Sequence, residues 1–394
     1  MILLAWGSNI ILMKVLHVIR SIDSTTGGPA IAALQMASVL CARGVSVDIA
    51  TTGPVRTDVL GGSAEPGVDL IGVRQFTFRS RGTGTWSFSR ELWIWLNKNI
   101  RRYDLLHITG VFTFPPLIAA RVAYRLGIPY IIRPAGTLDA YSLNQKMLKK
   151  RLYYKLLLSK IMDRASAIHA TSEVERNYII ALGIRDRCNV VPLSVPVPQA
   201  DPVFRESNSV LSILFLSRIH PKKGLPTVIQ SVALMRNKGQ NVRLRIAGDG
   251  SPAYLEEMKG LVHTMELDDV VDFLGQVSGE NKSGVLADAD LFVLPSYQEN
   301  FGIAVVEAMA AGVPVVVSDQ VAIAEEIARG DAGLVVAVDA PQELANAISS
   351  FLDVKDRRRV GNNGRKLVEQ EFSAASQGRR LVELYESIAG PSAE

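Results

Sequence analysis

Cysteine is nearly absent from this sequence of 394 residues, since Cys41 and Cys188 are the only two, far apart and outside any CxxC or Cys/His spacing. This excludes a disulfide framework and a cysteine-based metal site, and it indicates buried free thiols in a reducing compartment. No run of eighteen uninterrupted apolar residues occurs, which argues against a membrane-spanning helix. We also find no stripe in which aromatic residues interleave with Lys and Arg, so a nucleic-acid partner is not expected.

The composition that remains is that of a globular protein. Hydrophobic residues make up 48% of the sequence and charged residues 21%, and the net charge of +4 suits an anionic small ligand or an anionic membrane surface. The length predicts two or three domains. Residues 1–12 are apolar but lack the basic start and the cleavage site of a signal peptide, so we expect a disordered leader ahead of the first strand.

Short apolar runs alternate with helical patterns along the chain, which is typical of a parallel sheet with crossover helices. The proline-rich stretch 192–198 separates two such arrays and indicates a stiff linker. We therefore predict an α/β fold with two Rossmann-like, doubly wound parallel-sheet domains facing each other across a cleft, the first at 13–200. The strands are predicted at 14–20, 45–51, 69–73, 105–109, 130–133, 167–170 and 188–191, and then at 211–216, 242–247, 270–274, 290–294, 315–317 and 333–336.

Several loops of the first array directly follow a strand, at the edge of a parallel sheet where ligands bind. Gly27 and Gly28 allow the backbone to approach a ligand closely, although an ordinary turn between strand and helix has the same composition. His107 is predicted to end a strand at this edge, and Gly136 follows the next strand. The polar residues 74–85 are predicted to form a mobile loop beside the binding site.

The stretch 145–164 is strongly basic, with seven Lys or Arg against the single acidic residue Asp163. Its apolar residues fall at helical spacing. A basic amphipathic helix of this kind can lie in the interface of an anionic membrane. A helix that packs on the core with a basic solvated face has the same pattern, and the two interpretations stay open.

In the second array, Arg218 and Lys223 follow the strand 211–216. The planar fork of Arg and the compact charge of Lys together suit a diphosphate, and the helix that begins beyond them adds positive potential. Solvated surface bases would be the alternative interpretation.

The stretch 295–307 (PSYQENFGIAVVE) follows another buried strand and leads into a helix. Glu299 is predicted in the turn, and Glu307 about two turns into the helix. Two carboxylates at this edge suit the hydroxyl groups of a polyol. A phosphate could be met by three backbone N–H groups in the turn, those of Asn300, Phe301 and Gly302.

Three motifs together resemble glycosyltransferase family 4, whose members are retaining nucleotide-sugar transferases of the GT-B fold. They are SRIHPKKG at 217–224, the Glu299-x7-Glu307 spacing within PSYQENFGIAVVEAMAAGVPVV, and the Gly27-Gly28 pair. The resemblance runs from about residue 14 to residue 388. TSEVE at 171–175 and PAGTLD at 134–139 are similar to bacterial members that build extracellular or cell-surface polysaccharides.

The resemblance implies a role for each matching residue. Arg218 and Lys223 would hold the diphosphate of the sugar donor and stabilise the leaving group. Glu299 would contact the transferred sugar, and Glu307 would bind the ribose. The backbone around Asp249 and Gly275 would select the base, and the Gly27-Gly28 loop would close over the phosphates.

The residues on the acceptor side match the pattern of the family less well. Many relatives carry a His or a basic residue where Ala135 stands, which leaves His107, Gly136 and Thr137 as the candidates. Asp288-Ala289-Asp290 spells the DxD metal motif of a different transferase fold, but it precedes a buried strand on the side away from the predicted site. We therefore expect no metal.

The implied function is the transfer of a hexose, with retention, from a UDP-sugar or GDP-sugar to a saccharide or lipid-linked saccharide in surface or extracellular polysaccharide biosynthesis. No cofactor is implied. The enzyme would lie in the cytoplasm or at the inner face of the plasma membrane. Residues 201–371 would form the nucleotide-sugar domain, and a final helix within 372–394 would cross back to the first. The alternatives are a sugar-nucleotide epimerase or hydrolase on this fold, or a non-catalytic binding protein.

Overall fold

A computed structural model describes residues 13–23, 28–53, 73–81, 86–138, 158–184, 186–199, 202 and 210–390. Four predictions therefore fall wholly or mostly outside the described residues: the leader 1–12, Gly27, the strand 69–73 and the basic stretch 145–164. The described chain folds into two compact units. The N-terminal unit holds the residues up to Thr171, Glu175–Val191 and those from Gln377 on, and the C-terminal unit holds Ser172–Val174 and Pro192–Ser376.

The N-terminal unit is built on a seven-stranded parallel sheet with the strand order β3-β2-β1-β4-β5-β6-β7. Its strands are β1 Lys14–Ile19, β2 Ser46–Thr52, β3 Arg74–Phe78, β4 Leu105–Thr109, β5 Tyr130–Arg133, β6 Ala167–Ala170 and β7 Cys188–Val190. In the described residues, its helices ahead of the second sheet are α1 Gly28–Cys41, α2 Arg90–Asn99, α3 Phe114–Leu126, α4 Ser159–Asp163 and α5 Glu173–Ala181.

The C-terminal unit contains a six-stranded parallel sheet with the order β10-β9-β8-β11-β12-β13. Its strands are β8 Leu211–Leu216, β9 Val242–Ala247, β10 Val271–Gly275, β11 Leu291–Leu294, β12 Val315–Ser318 and β13 Gly333–Val336. Its helices are α6 Leu225–Asn237, α7 Pro252–Thr264, α8 Gly279–Ala287, α9 Ile303–Ala310, α10 Ala324–Arg329, α11 Pro341–Ser349 and α12 Val354–Leu367. The last helix, α13 at Ala374–Ala389, lies mainly within the N-terminal unit.

Alternation along β1 shows how the first sheet is covered on both faces. Leu16 and Val18 join the hydrophobic cluster under α2 and α3, whereas Val15 and Ile19 join the cluster that contains residues of α1 and α13. Successive side chains of a strand point to opposite faces, so both faces are apolar and buried, as expected for a parallel sheet between two helical layers.

The predicted fold class of two Rossmann-like parallel-sheet domains is confirmed. In each sheet the strand order reverses beside the first strand, between β1 and β4 and between β8 and β11. Open α/β sheets bind ligands outside the carboxyl ends of their strands at this reversal. The domain boundaries at 200 and 371 stay predictions. The described chain divides between residues 191 and 192 and between residues 376 and 377.

One stretch folds differently from its prediction. Residues 74–85 were expected to form a loop, but Arg74–Phe78 is the edge strand β3, paired in parallel with β2. Phe76 and Phe78, two residues apart, both stack on Trp95 with ring centroids 4.8 and 5.4 Å away. The Arg74 guanidinium donates two hydrogen bonds to the Asp48 carboxylate, at 3.0 and 2.9 Å. These contacts outweigh the polar composition that suggested a loop.

Candidate functional site

The carboxyl edge of the second sheet is a connected layer of loops. The Tyr297 N–H donates to the Lys222 carbonyl at 2.8 Å, which joins the loop after β11 to the loop after β8. The Glu299 N–H donates to the Gln320 carbonyl at 3.0 Å, which joins the loop after β11 to the loop after β12. The residues predicted to bind the sugar donor therefore stand on loops that hold one another in place.

Lys223 and Glu299 form an ion pair at this edge. Lys223 closes the 3₁₀ turn Pro221–Lys223 and is 7% exposed, and its Nζ donates to the Glu299 carboxylate. Burial lowers the pKa of Lys223, while the charge and hydrogen bond of Glu299 oppose the shift. The charges of Lys222 and Arg218 lower the same pKa further, so three cations lie close together here.

Gly224 allows this pair to form, because the loop after β8 must pass against the loop after β11. Gly224 has a φ of +71°, and a Cβ at this position would lie 2.2 Å from the Pro295 carbonyl oxygen. Any other residue would push the two loops apart and separate Lys223 from Glu299. Arg218, at the start of the same loop, is exposed.

Glu307 takes part in a second ion pair of the same edge, which the sequence analysis missed. The Lys282 Nζ lies 2.6 Å from Glu307 Oε1, and the two side chains are 31% and 21% exposed. Glu307 Oε2 is buried and has no hydrogen-bond partner within the described part of the chain. Glu307 is the fifth residue of α9, so its expected place two turns into the helix is wrong by about one turn.

The remaining sugar-donor candidates are found where the strands end. Phe301 is buried and packs edge-on against Phe372, and Gly302 begins α9 with a φ of +86°. Asn300 precedes them in the same turn. Asp249 follows β9 and Gly275 ends β10, and a hydrogen bond of 2.7 Å joins the Gly248 N–H to the Gly275 carbonyl. Gly28 begins α1 in the N-terminal unit, and its role toward the sugar donor stays a prediction.

The DxD sequence has structural partners on both carboxylates. Asp290 Oδ2 accepts the Ser212 N–H at 2.9 Å, and the buried Arg357 lies 3.7 Å from its Oδ1. Asp288 lies 3.9 Å from the Arg245 guanidinium. Within the described ranges no group of three or more His, Cys, Asp or Glu is arranged to hold a metal ion.

His107 is not placed as expected. It lies in the middle of β4, paired with His17 of β1, and is 0% exposed, so the prediction that it ends a strand at the ligand edge is wrong. Its Nδ1 lies 2.6 Å from the Tyr385 hydroxyl of α13, and its Nε2 lies 3.2 Å from the ring of His169. A fully enclosed ring has no surface to offer an acceptor.

These residues form a buried polar cluster within the N-terminal unit. The His17 Nε2 lies 3.3 Å from the Tyr385 hydroxyl, and the His169 Nε2 lies 2.7 Å from the Val191 carbonyl. Burial and the nearby Arg133 cation lower the pKa of His17 and of His169 to about 3, and the pKa of His107 is also lowered. All three imidazoles are therefore neutral at pH 7.

Glu175 anchors the loop that carries Gly136 and Thr137. Glu175 is 3% exposed, and its carboxylate accepts the Gly136 N–H at 2.6 Å, the Thr171 N–H at 2.7 Å and the Thr171 hydroxyl at 2.8 Å. The loop contains Ala135 with a φ of +56°, an uncommon conformation for a residue with a Cβ. The Glu175 carboxylate thus joins the turn after β5 to the end of β6.

Replacing Glu175 with Gln should lower the free energy of unfolding by about 3 kcal/mol. The amide would turn one acceptor into a donor beside an N–H group and remove the charge that compensates the buried Arg133. Burial already lowers the pKa of Arg133 to about 10, with Glu175 acting in the opposite sense. Urea unfolding measures the change. Glu383→Gln, whose side chain is 65% exposed, is the matched control and should stay within about 0.5 kcal/mol of the parent.

Comparison with protein families gives two matches that together span most of the chain. Residues 201–367 match the family described as Glycosyl transferases group 1, and residues 27–194 match the Glycosyl transferase 4-like domain. Each match falls on one of the two Rossmann-like sheets. In the described residues no helix is long and apolar enough to cross a membrane.

Individual proteins are similar over part of their length. A D-inositol 3-phosphate glycosyltransferase of Corynebacterium kroppenstedtii is 33% identical over 180 residues, which is 44% of this chain and 40% of that protein. A phosphatidyl-myo-inositol mannosyltransferase of Mycolicibacterium smegmatis is 33% identical over 198 residues, 49% of this chain and 48% of that protein. The chain thus spans less than half the length of these curated relatives.

A solved structure is similar over nearly the whole chain. The sucrose-phosphate synthase of Thermosynechococcus elongatus superposes with a TM-score of 0.74 at 22% identity, covering 95% of this chain and 98% of that one. At this identity the likeness concerns the fold, which is the same pair of Rossmann-like domains.

Proposed function

Because the chain belongs to the group 1 glycosyl transferases of the GT-B fold, we propose that it transfers a hexose from a nucleoside diphosphate sugar to a saccharide or lipid-linked saccharide acceptor. The transfer proceeds with retention of the anomeric configuration. The sugar donor is a UDP-sugar or a GDP-sugar, and the product enters surface or extracellular polysaccharide biosynthesis. The reaction needs no metal and no cofactor.

The observation that carries this proposal is the buried Lys223–Glu299 pair at the reversal of the second sheet. A lysine that is 7% exposed has given up most of its hydration, so its charge acts strongly on a neighbouring anion. Arg218 adds positive charge at the same place. The two cations suit the diphosphate of the sugar donor, and the Glu299 carboxylate suits the hydroxyl groups of the sugar.

In the proposed reaction the bond between the anomeric carbon and the diphosphate oxygen breaks first. Lys223 and Arg218 neutralise the charge that develops on that oxygen. The acceptor hydroxyl then attacks the anomeric carbon from the same face, and its proton passes to the departing diphosphate. Atoms and charge balance without a protein nucleophile, and Glu299 positions the sugar during the exchange.

The acceptor side of the proposal rests on the turn after β5, where Gly136 and Thr137 are held by Glu175 and by a hydrogen bond from the Thr137 hydroxyl to the Pro134 carbonyl, at 2.7 Å. We place the enzyme in the cytoplasm or at the inner face of the plasma membrane. A peripheral contact through the basic stretch 145–164 belongs to the same proposal, and most of that stretch lies outside the described residues.

The experiment that tests the proposal is a thermal-shift screen with UDP-, GDP- and ADP-sugars, followed by product analysis. The proper sugar donor at a hundred times its Kd should stabilise the folded protein by about 2.7 kcal/mol. Incubation of that donor with saccharide acceptors in EDTA should give an α-linked product from an α-linked donor, read by the anomeric coupling in NMR. An inverted product would refute retention, and activity lost in EDTA but restored by Mg²⁺ would refute metal independence.

The same assay separates the alternative functions. An epimerase would change the sugar nucleotide without an acceptor, and a hydrolase would release free sugar at the same rate with or without one. A non-catalytic binding protein would show the thermal shift and no product. Any of these results would contradict transfer.

A further inference from the structure

The outer side of the N-terminal unit carries an exposed helical face that combines aromatic, aliphatic and basic side chains. On α2, Arg90, Trp93, Ile94 and Lys98 are exposed. Arg90, Ile94 and Lys98 are four residues apart and Trp93 lies three after Arg90, so the four side chains lie on one broad face of the helix. Trp93 is 44% exposed and Ile94 is 42% exposed.

The neighbouring helices extend this face. The Arg125 guanidinium of α3 donates to the Asn97 side chain of α2, and Tyr124, next to it, is 52% exposed. Arg164 at the end of α4 stacks over the Tyr124 ring at 4.1 Å. We call this the Trp93 face. With their flanking turns, α2, α3 and α4 carry three exposed acidic residues, Glu91, Asp104 and Asp163. They carry eight exposed cations, namely Arg90, Lys98, Arg101, Arg102, Arg121, Arg125, Lys160 and Arg164.

We propose that the Trp93 face binds the surface of an anionic lipid bilayer. Indole and phenol rings favour the boundary between headgroups and acyl chains, and an exposed Ile gains from the same apolar layer. The surrounding cations match anionic headgroups, each contributing about a fivefold gain in affinity near the surface. Single-stranded nucleic acid would use the rings for stacking but would leave the aliphatic side chain unused.

Co-sedimentation with phosphatidylcholine vesicles, with and without 30% phosphatidylglycerol, tests the proposal on the full chain. We expect binding to the anionic vesicles only, and at least tenfold weaker binding for Trp93→Ser/Ile94→Ser and for Lys98→Glu/Arg101→Glu. Leu352→Ser is the matched control, because Leu352 is 43% exposed in the C-terminal unit. It should bind like the parent. Equal binding of parent and Trp93→Ser/Ile94→Ser, or binding of duplex DNA without binding of vesicles, would overturn the proposal.

A second and independent inference concerns Lys282. Its contact with Glu307 leaves that carboxylate with one paired oxygen and one buried oxygen, Oε2, that has no hydrogen-bond partner in the described chain. A buried polar atom without a partner requires an explanation, such as a ligand group that completes its hydrogen bonds. A carboxylate offers about four accepting positions, and Lys282 occupies one of them.

We infer that Lys282 is a positioning residue for recognition of the ribose of the sugar donor, an inference that rests on the proposed function. A nucleoside that covers Glu307 removes water from its carboxylate, and an unpaired buried carboxylate takes up a proton instead of staying ionised. The Lys282 ammonium, 2.6 Å away, keeps the charge paired and holds the carboxylate in one orientation. The remaining lone pairs then accept the ribose O–H groups.

Calorimetric titration with UDP and GDP, and with the 2′,3′-dideoxy form of whichever binds, tests this role. Lys282→Met should weaken binding of the ribose nucleotide at least tenfold and should leave the dideoxy form nearly unchanged. Nucleotide binding by Lys282→Met should also take up a proton and weaken as the pH rises from 5 to 8. Lys282→Arg should restore most of the affinity. Lys259→Met, which removes a comparable Lys–Glu pair of 2.8 Å from the exposed side of α7, should change nothing.

The outcomes separate this inference from the proposed function. If the parent protein binds none of the nucleoside diphosphates, both the proposed function and the role of Lys282 are refuted. If the parent binds and Lys282→Met binds equally well, only the role of Lys282 is refuted. An equal loss for the ribose and dideoxy forms would also refute it, because Lys282 would then act through the phosphates.

Discussion

Replacing Lys223 with Met is expected to lower kcat/KM for sugar transfer about a thousandfold. The Lys223 ammonium is 7% exposed and bonded to Glu299, so it is already desolvated and fixed before the sugar donor arrives. A cation prepared in this way stabilises the charge of the leaving diphosphate without reorganisation. Met keeps the length and the apolar stem of the side chain, so the loss reflects the charge. Steady-state kinetics with the identified sugar donor measures it.

Lys222 supplies the matched control for this substitution. Lys222 is the preceding residue and is half-buried, and its carbonyl accepts the Tyr297 N–H, a bond that Lys222→Met keeps. The control should change kcat/KM by no more than a few fold. Circular dichroism and urea unfolding should show that both variants are folded. A folded Lys223→Met protein with near-parent turnover would contradict both the role of Lys223 and the proposed reaction.

Two buried histidines are expected to lower the free energy of unfolding by about 3 kcal/mol between pH 6.5 and pH 5. His17 and His169 have pKa values of about 3 in the fold against 6.5 in the unfolded chain. Between these values the unfolded state binds more protons, so lowering the pH favours unfolding. The stabilising contribution is complete above pH 6.5 and is lost progressively as the pH falls toward 3. Each group contributes about 1.4 kcal/mol per pH unit.

Urea unfolding at pH 5, 5.5, 6, 6.5 and 7.5 tests this dependence. His169→Gln should reduce the slope below pH 6.5 by about 1.4 kcal/mol per pH unit, whatever its effect on stability at pH 7.5. A parent protein with the same stability at pH 5 and pH 6.5 would show that the cluster is hydrated or already protonated in the fold.

Much of the fold could be predicted because both sheets are built from short, continuous apolar runs. The predicted strands 105–109, 130–133, 211–216, 242–247 and 333–336 have the bounds of β4, β5, β8, β9 and β13. Buried parallel strands must be apolar on both faces, so their ends coincide with the change of composition. The edge strand β3 does not follow this rule, since in the described residues it pairs on one side only, with β2, and its sequence RQFTF is half polar.

The sequence predicted the motif residues of the candidate site but did not predict the contacts that these residues make. Lys223 and Glu299 lie on loops next to the reversal of the sheet, and a motif with fixed spacing places them there. Lys282 belongs to no motif, and its partner lies 25 residues further along the chain on a different helix. Its contribution depends on how α8 and α9 pack, which spacing along the sequence does not encode.

The histidine cluster did leave a recognisable sequence pattern. His17, His107 and His169 each stand inside a short apolar strand, in KVLHVI, LLHIT and AIHA. A polar residue inside an apolar run indicates burial with a partner, since an unsatisfied polar group in a sheet interior is costly. Tyr385, the partner of His17 and His107, could not be inferred, because it comes from a helix far along the chain.

The position of α13 sets the order in which the two units mature during synthesis. Tyr385, together with Leu381 and Leu384, completes the core that covers one face of β1, although all 185 residues from Pro192 to Ser376 are translated between that sheet and these three residues. The C-terminal unit can therefore close before α13 is available to complete the first core. The unit that leaves the ribosome first is the last to be finished, because part of its core is translated last.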